Sequence, residues 1–384
     1  MSPTKIGGGY GEIRASIPIG ALNEYLSQHT HVIKAPVTVK QFQYGQSNPT
    51  YFLTDVLGIR FVLRKKPSGT LLSPTAHAIE REFRVLSALQ LYNEHTKDDT
   101  RKIPIPNPII LCEDQAVIGT SFYVMEFLEG RIFADFKMPQ LSPSERKACW
   151  LDAVRVLALL GSLNPGDLGL ETFGPHTAYF PRQIKSLARI SRLQAEAVDV
   201  DTKQTVGPIP YFEESIQWYS THLPHESKVG TRIVHGDYKI DNLVFHPTET
   251  RVIGILDWEL CTLGSPLADL GNLTLPYNFG PSIATTGYLS EGLRGAPQEA
   301  IPITLGEIER EYCQVAKMSY PIKEMPFVRS WMTFRLAIIS QGIAARHARR
   351  QASSLSAQDQ GKLFHKLGLI ARDIYIEARD GSQL

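Results

Sequence analysis

At 384 residues the chain is long enough to bury a large core in one or two domains. Apolar residues make up 43% and charged residues 21%, ordinary globular usage that excludes wholesale disorder. The 40 Lys and Arg nearly cancel the 39 Asp and Glu, and a net charge of +1 gives no global field for gripping nucleic acid or an anionic membrane, so neither partner is expected. The opening residues, Met1 to Glu12, are polar and Gly-rich with no apolar run like that of a signal peptide, and 1–30 read as an N-terminal extension. From there Val37 to Phe42 alternates as a strand, Tyr44 to Pro49 is turn-like, and Thr50 to Thr54 and Arg60 to Arg64 are two further strands around Leu57-Gly58. Ala76 to Leu91 carries Ile79, Phe83, Leu86, Leu89 and Leu91 at helical spacing. Ile109 to Cys112 and Phe122 to Met125 complete five strands with one helix, a small α+β lobe over 31–128.

Beyond Glu129-Gly130 helical patterns dominate: Ser142 to Leu163, Pro181 to Ala197, Tyr211 to Thr221, and Pro326 to Ala352 with Leu336, Ile339, Gly342 and Ile343 on one face. Val198 to Pro210 reads as a polar loop, and a strand-rich island at Thr231 to Leu260 interrupts the helices. The chain therefore divides into a sheet lobe and a larger, mainly helical lobe over 129–384. The four cysteines, at 112, 149, 261 and 313, lack any CxxC or metal-like spacing and read as buried apolar residues of a reducing compartment. No run of 18 apolar residues occurs, and a soluble intracellular protein is expected. Ser382-Gln383-Leu384 resembles the peroxisomal tripeptide with Gln where Lys is usual, so a peroxisomal address stands beside a cytoplasmic one.

The island holds the chemistry. The apolar Ile233-Val234 runs into His235-Gly236-Asp237, Asn242 follows five positions after the Asp, and a third apolar run, Val252 to Leu256, ends in Asp257. Phosphoryl transfer from ATP needs this inventory: a carboxylate to take the acceptor proton, and an amide oxygen with a second carboxylate to hold Mg²⁺ on the phosphates. Asp237 fits the first role, Asn242 and Asp257 the second. The competing reading is a hairpin whose Asp and Asn make turn hydrogen bonds, which does not explain an acid at the end of an apolar run.

These residues, with Leu256-Asp257-Trp258-Glu259 and Gly264 to Leu270, resemble the aminoglycoside phosphotransferase and choline kinase-like superfamily. Gly45 to Tyr51, Leu63 to Gly69 and Ala76 to Glu82 are similar to one branch of it, the kinase-like domain fused to some acyl-CoA dehydrogenases. The resemblance spans roughly residues 30–350 and implies an α+β, protein kinase-like two-lobed fold with a five-stranded antiparallel N-lobe. It implies ATP and Mg²⁺ as cofactors and a small-molecule hydroxyl as acceptor. Gly45, Ser47 and Asn48 then belong to the loop that approaches the phosphates. The family's strand cation falls on Arg64, where many relatives have Lys, with Lys65 or Lys66 as alternatives; its helix partner is Glu82, or else Glu80. The backbone of Glu126 and Leu128 is the expected hinge for adenine, Asp269 the carboxylate supporting the catalytic loop, and His235 a loop brace. A metal-ligand role for His235 finds no second suitably spaced His.

The acceptor is poorly encoded. The helix carrying Arg335, Arg346, His347, Arg349 and Arg350 either meets an anionic substrate such as an acyl-CoA or is a solvated basic end complementing its own dipole. No acidic cluster for a cationic antibiotic is seen beyond Glu307, Glu309 and Glu311 on an amphipathic helix, which points towards a hydroxylated metabolite such as a hydroxyacyl thioester. Two other readings compete with an active kinase. One is a nucleotide-binding pseudokinase or scaffold, supported by the Arg at 64. The other is a protein kinase, disfavoured by the short segment between Asp257 and Asp269. Nothing in the sequence sets an oligomeric state.

Overall fold

The structure is a computed structural model that describes residues 10–11, 17–42, 48–67, 78–176, 178–226, 230–281, 283, 292–351 and 361–379. Gly45, Ser47 and the 382–384 tripeptide lie outside these residues. The strands are β1 (Tyr10–Gly11), β2 (Thr38–Phe42), β3 (Thr50–Thr54), β4 (Arg60–Lys65), β5 (Pro108–Cys112), β6 (Phe122–Glu126), β7 (Arg232–Val234), β8 (Leu243–Phe245), β9 (Val252–Ile255) and β10 (Thr262–Gly264). The helices are α1 (Ile19–His29), α2 (Ile79–His95), α3 (Gln115–Ile118), α4 (Pro143–Ser162), α5 (Tyr179–Ala195), α6 (Phe212–Thr221), α7 (Leu267–Leu273), α8 (Leu305–Ala316), α9 (Met325–Ala348) and α10 (Leu363–Arg379). None of the described helices is long and apolar enough to cross a membrane.

The chain forms two compact units. The first joins Met1–Phe133, Gly166–Phe173 and Asp241–Cys261, and the second holds the remainder. A single cut at 128/129 therefore does not describe the partition, because the β8–β9 hairpin folds with the sheet unit. In that unit the five expected strands form an antiparallel sheet in the order β1-β2-β3-β4-β6-β5, with the two-residue β1 added at the edge. At the β3–β4 turn Asp55 accepts the amides of Leu57 and Ile59, both at 2.9 Å, which fixes the register Thr50↔Arg64. Strand alternation then sorts the side chains. Tyr51, Leu53, Phe61 and Leu63 join Phe122 and Val124 in one core with Leu22 and Leu26 of α1, so residues 19–29 are core structure and not an appendage. On the opposite face Arg64 and Tyr123 meet α2 through Glu82. Arg81 docks α2 on Phe173, donating to its carbonyl at 2.7 Å with the guanidinium 4.0 Å over the ring. Leu91, expected on the apolar face of α2, is exposed; Val85 and Glu82 take the buried positions.

The second unit holds seven of the described helices and the antiparallel pair β7/β10, against which α4 and α5 pack. Ser142 with Glu145 and Thr304 with Glu307 form capping boxes that start α4 and α8. The first two amides of α5 are satisfied by the carboxylate of Glu226, at 2.6 and 2.8 Å. Helix α9 is buried on nearly every side along its first half, and buried positions continue through Ile338, Gln341, Gly342, Ala345 and Ala348. Of the face expected from Leu336, Ile339, Gly342 and Ile343, Gly342 is buried, Leu336 and Ile343 are half-buried, and Ile339 is exposed. The four cysteines are buried and form no disulfide.

Candidate active site

In the sheet unit a cavity of about 270 Å³ opens against the face of β4 that carries Val62 and Arg64. The hinge stretch Met125, Glu126, Phe127 and Leu128 forms one side, and Asn242, Val244, Leu256 and Asp257 of the β8–β9 hairpin another. Its walls are apolar and its polar groups converge at one end, the composition of a small-molecule site. Phe42, Phe52 and Phe127 make a chain of edge-to-face contacts beside it.

Arg64 lies at the polar end. Its Nη2 donates to Asp257 Oδ1 at 3.0 Å, its Nε lies 3.4 Å from Glu82 Oε2, and Glu259 Oε2 is 3.8 Å from Nη2. Burial opposes the charge on Arg64, and the carboxylates of Glu82 and Asp257, aided by Tyr123, outweigh it, so its pKa is raised. Glu82 is itself 1% exposed, and burial pushes its carboxyl up while Arg64 and the Tyr123 hydroxyl pull it down. Of the alternatives for the strand cation, Lys65 follows Arg64 by one residue and so points from the other face of β4, the face of Leu63. Lys66 pairs with Glu80, which occupies the second candidate carboxylate. Asn48, expected at the phosphates, is buried with its Nδ2 donating to Glu82 Oε1 at 2.9 Å.

Asn242 and Asp257 are brought together by the hairpin, where the amide of Leu256 donates to the carbonyl of Asn242 at 2.9 Å. Asp257 takes the left-handed region at φ 67°, uncommon for a residue with a Cβ, as the chain turns from β9 into the 3₁₀ turn Trp258–Leu260. At the hinge both Glu126 and Leu128 line the cavity, but the Glu126 amide already donates to the Asn107 carbonyl at 2.9 Å. Its side chain accepts from Asn107 as well.

In the helical unit the loop after β7 presents Asp237. Asp269 of α7, 1% exposed, accepts the amides of His235 at 2.6 Å and Gly236 at 2.8 Å. Burial raises the Asp269 carboxyl, against the pull of His235, the two amides and Arg335. Gly236 stands at φ +87°, a conformation that suits glycine alone at this turn. The His235 ring is buried, and its Nδ1 accepts the Asp237 amide at 3.2 Å. The Asp237 carboxylate remains about one third exposed, with Lys239 Nζ 3.6 Å from Oδ2. Two supports were not legible in the sequence. Asn272 donates to the Tyr238 carbonyl at 3.1 Å, and Arg335 donates to the Gly236 carbonyl at 3.1 Å, a structural use of an Arg read as solvated or substrate-facing.

Comparison with known proteins places this geometry. A model of the phosphotransferase enzyme family matches residues 38–300. The mouse (Mus musculus) protein named acyl-CoA dehydrogenase family member 10 is 38% identical over 361 residues, which cover 93% of this chain and 31% of that protein. The chain thus spans about a third of that relative's length. A crystal structure from Ralstonia eutropha, provisionally described as an aminoglycoside phosphotransferase, is 33% identical with a TM-score of 0.78, covering 95% of this chain and 99% of that one. Choline kinase of Cryptosporidium parvum shares the kinase-like fold at 14% identity and a TM-score of 0.57, with 90% of each chain covered.

Proposed function

The chain belongs to the phosphotransferase enzyme family, and from that membership we propose that it is an ATP-dependent small-molecule kinase, moving the γ-phosphate of ATP to an alcohol. The observation that carries the reading is the shared cavity: the Arg64–Glu82 pair, the hinge, Asn242 and Asp257 all line or adjoin one space in the sheet unit. The hinge supplies backbone groups for the adenine edge, and Val62, Val244 and Leu256 supply apolar walls for its faces. Arg64 holds the phosphates in place of the usual Lys, its planar fork suited to two oxygens at once.

Asn242 and Asp257 offer an amide oxygen and a carboxylate, hard donors that fit Mg²⁺ and not a soft metal. When bound, the metal neutralises charge on the phosphates. The donation from Arg64 Nη2 to Asp257 Oδ1 supports this reading, since that carboxylate already faces a cationic partner. Asp237 takes the proton of the acceptor hydroxyl, and Asp269, His235 and Arg335 fix the loop that carries it. The acceptor is a hydroxylated metabolite, and the acyl-CoA dehydrogenase name of the mouse relative supports a hydroxyacyl thioester within that class.

The test is Mg²⁺-dependent ADP release against hydroxyacyl-CoAs, other hydroxylated metabolites and aminoglycosides. Acceptor-dependent turnover is expected, falling by about 10²- to 10⁴-fold in Asp237→Asn while calorimetry shows ATP binding retained. ATP binding with no acceptor phosphorylated across the panel would replace this reading with a nucleotide-binding scaffold. Absence of ATP binding would remove both.

A further inference from the structure

Glu82 is more heavily engaged than a simple cation–carboxylate pair requires. Its Oε1 accepts from Asn48 Nδ2 at 2.9 Å, and its Oε2 accepts from the Tyr123 hydroxyl at 3.0 Å. Arg64 is left with an edge contact, Nε to Oε2 at 3.4 Å, and turns Nη2 to Asp257. Asn48, Glu82 and Tyr123 are each 1% exposed, so this is a buried network whose members have little water to fall back on. A phenylalanine at 123 would fill nearly the same volume, so the only unsatisfied demand a tyrosine meets there is the carboxylate. Were Glu82 free to rotate, it would take the guanidinium in a two-toothed pair and draw it from the cavity end.

We propose that Tyr123 and Asn48 are positioning residues that fix the Glu82 carboxylate and, through it, aim the Arg64 guanidinium along the cavity wall towards the nucleotide phosphates. This assignment rests on the kinase reading of the same cavity and adds two residues to it. Its chemistry predicts a pH dependence. Burial pushes Glu82 up, Arg64 and the Tyr123 hydroxyl pull it down, and Asp257 and Glu259 push it up again. Protonated Glu82 releases the Arg64 edge. Nucleotide affinity is thus present above the Glu82 pKa and lost as pH falls through it. Removing the Tyr123 hydroxyl deletes one of the two restraining contacts and moves that loss to higher pH.

The experiment is Mg²⁺-ATP titration calorimetry from pH 5 to 9 on the full chain, with Tyr123→Phe, Asn48→Ala, Glu82→Gln and the double variant Tyr123→Phe/Glu82→Gln. Tyr123→Phe and Asn48→Ala should each weaken binding about three- to tenfold at neutral pH, because the lost hydrogen bond acts on ATP only through Glu82 and Arg64 and passes on part of its worth. Their KM for ATP rises with kcat nearly unchanged, and the acid fall-off of Tyr123→Phe shifts upward. The double variant should bind no worse than Glu82→Gln alone, because Tyr123 acts through that carboxylate. A Tyr123→Phe protein with wild-type affinity and an unmoved fall-off overturns the assignment while leaving the kinase reading intact, as does full additivity in the double variant. A wild-type chain that binds no ATP overturns both.

Discussion

Replacing Gly130 by Ala tests the wall of the cavity proposed for the nucleotide directly. A Cβ on residue 130 would lie 2.3 Å from the Phe245 carbonyl oxygen, 2.5 Å from Val244 Cγ1 and 3.0 Å from Ile253 Cδ1. The two side-chain carbons can give by rotation. The carbonyl cannot, because Arg131 N donates to it at 2.7 Å and Phe245 N returns a bond to the Arg131 carbonyl at 2.8 Å. An ordinary carbon–oxygen approach is roughly 3.3 Å, so the hairpin must retreat by about 1 Å. That is enough to break both bonds. Losing them removes about 2 kcal/mol, and residual overpacking about 1 kcal/mol more, for a total near 3 kcal/mol. Since Gly130 and Val244 both line the cavity, ATP affinity should fall at least tenfold in the same variant. Urea unfolding, hydrogen exchange at the Phe245 amide and ATP calorimetry measure the three effects. Gly20→Ala, where a Cβ meets nothing within 4 Å inside α1, is the control and should be neutral or stabilising by about 0.5 kcal/mol. A Gly130→Ala protein within about 1 kcal/mol of wild type, with ATP affinity unchanged, would refute the steric account.

Arg64→Ala leaves Glu82 buried without its cation and should destabilise by about 3–5 kcal/mol at pH 8. The loss should shrink towards pH 5, because the raised Glu82 pKa lets the group go neutral; equal urea midpoint shifts at both pH values would contradict this. Asp269→Asn keeps one acceptor for two amides, so about 2 kcal/mol of stability and most of kcat should be lost with ATP affinity intact; unchanged kcat is the contrary result. Lys147, then the Thr304 amide and hydroxyl, hold Glu307 down to about 2 from 4.5. Its contribution is therefore present above 4.5 and lost as pH falls towards 2. Glu307→Gln should reduce stability at pH 7 by about 1 kcal/mol, the linkage value discounted for solvent screening, and flatten the acid limb of a stability–pH curve.

Much of the site was legible because its chemistry sits at strand ends, where apolar runs stop at a polar residue: Val234 before His235-Gly236-Asp237, and Leu256 before Asp257. Arg64 was placed by the family resemblance and not by a signal of its own, and period-two alternation puts it and Lys65 on opposite faces once β4 is known to pair with β3 and β6. Arg335 was opaque. Its partner carbonyl is 99 residues away, and a long cation on a helix looks the same whether it reaches into solvent or across to a loop. Asn48 was read as a turn-forming residue of the phosphate loop; that its buried side-chain amide also answers Glu82, 34 residues away, carried no signal in the chain. Helix α1 showed only the spaced pair Leu22 and Leu26 behind Pro18, too short a stripe to separate from coil. Helix α10 did carry a usable signal, Leu363, Leu367, Ala371 and Ile374 at three- and four-residue steps, all now buried.

The sheet unit draws on three separate stretches of chain, and the last of them, Asp241–Cys261, arrives more than a hundred residues after the first ends at Phe133. The cavity proposed for the nucleotide is consequently not encoded by the first stretch of this chain alone. A truncation after Phe133 would still encode Arg64, Glu82 and the hinge, but it would discard Asn242 and Asp257 together with the Phe245–Arg131 bridge and the Ile255 amide that anchors on Pro104. Genetic dissection, limited proteolysis and any attempt to graft this pocket onto another scaffold must therefore carry the distant hairpin along. Recombination that swaps the first third of the chain between relatives exchanges one wall of the proposed phosphate site and leaves the other behind.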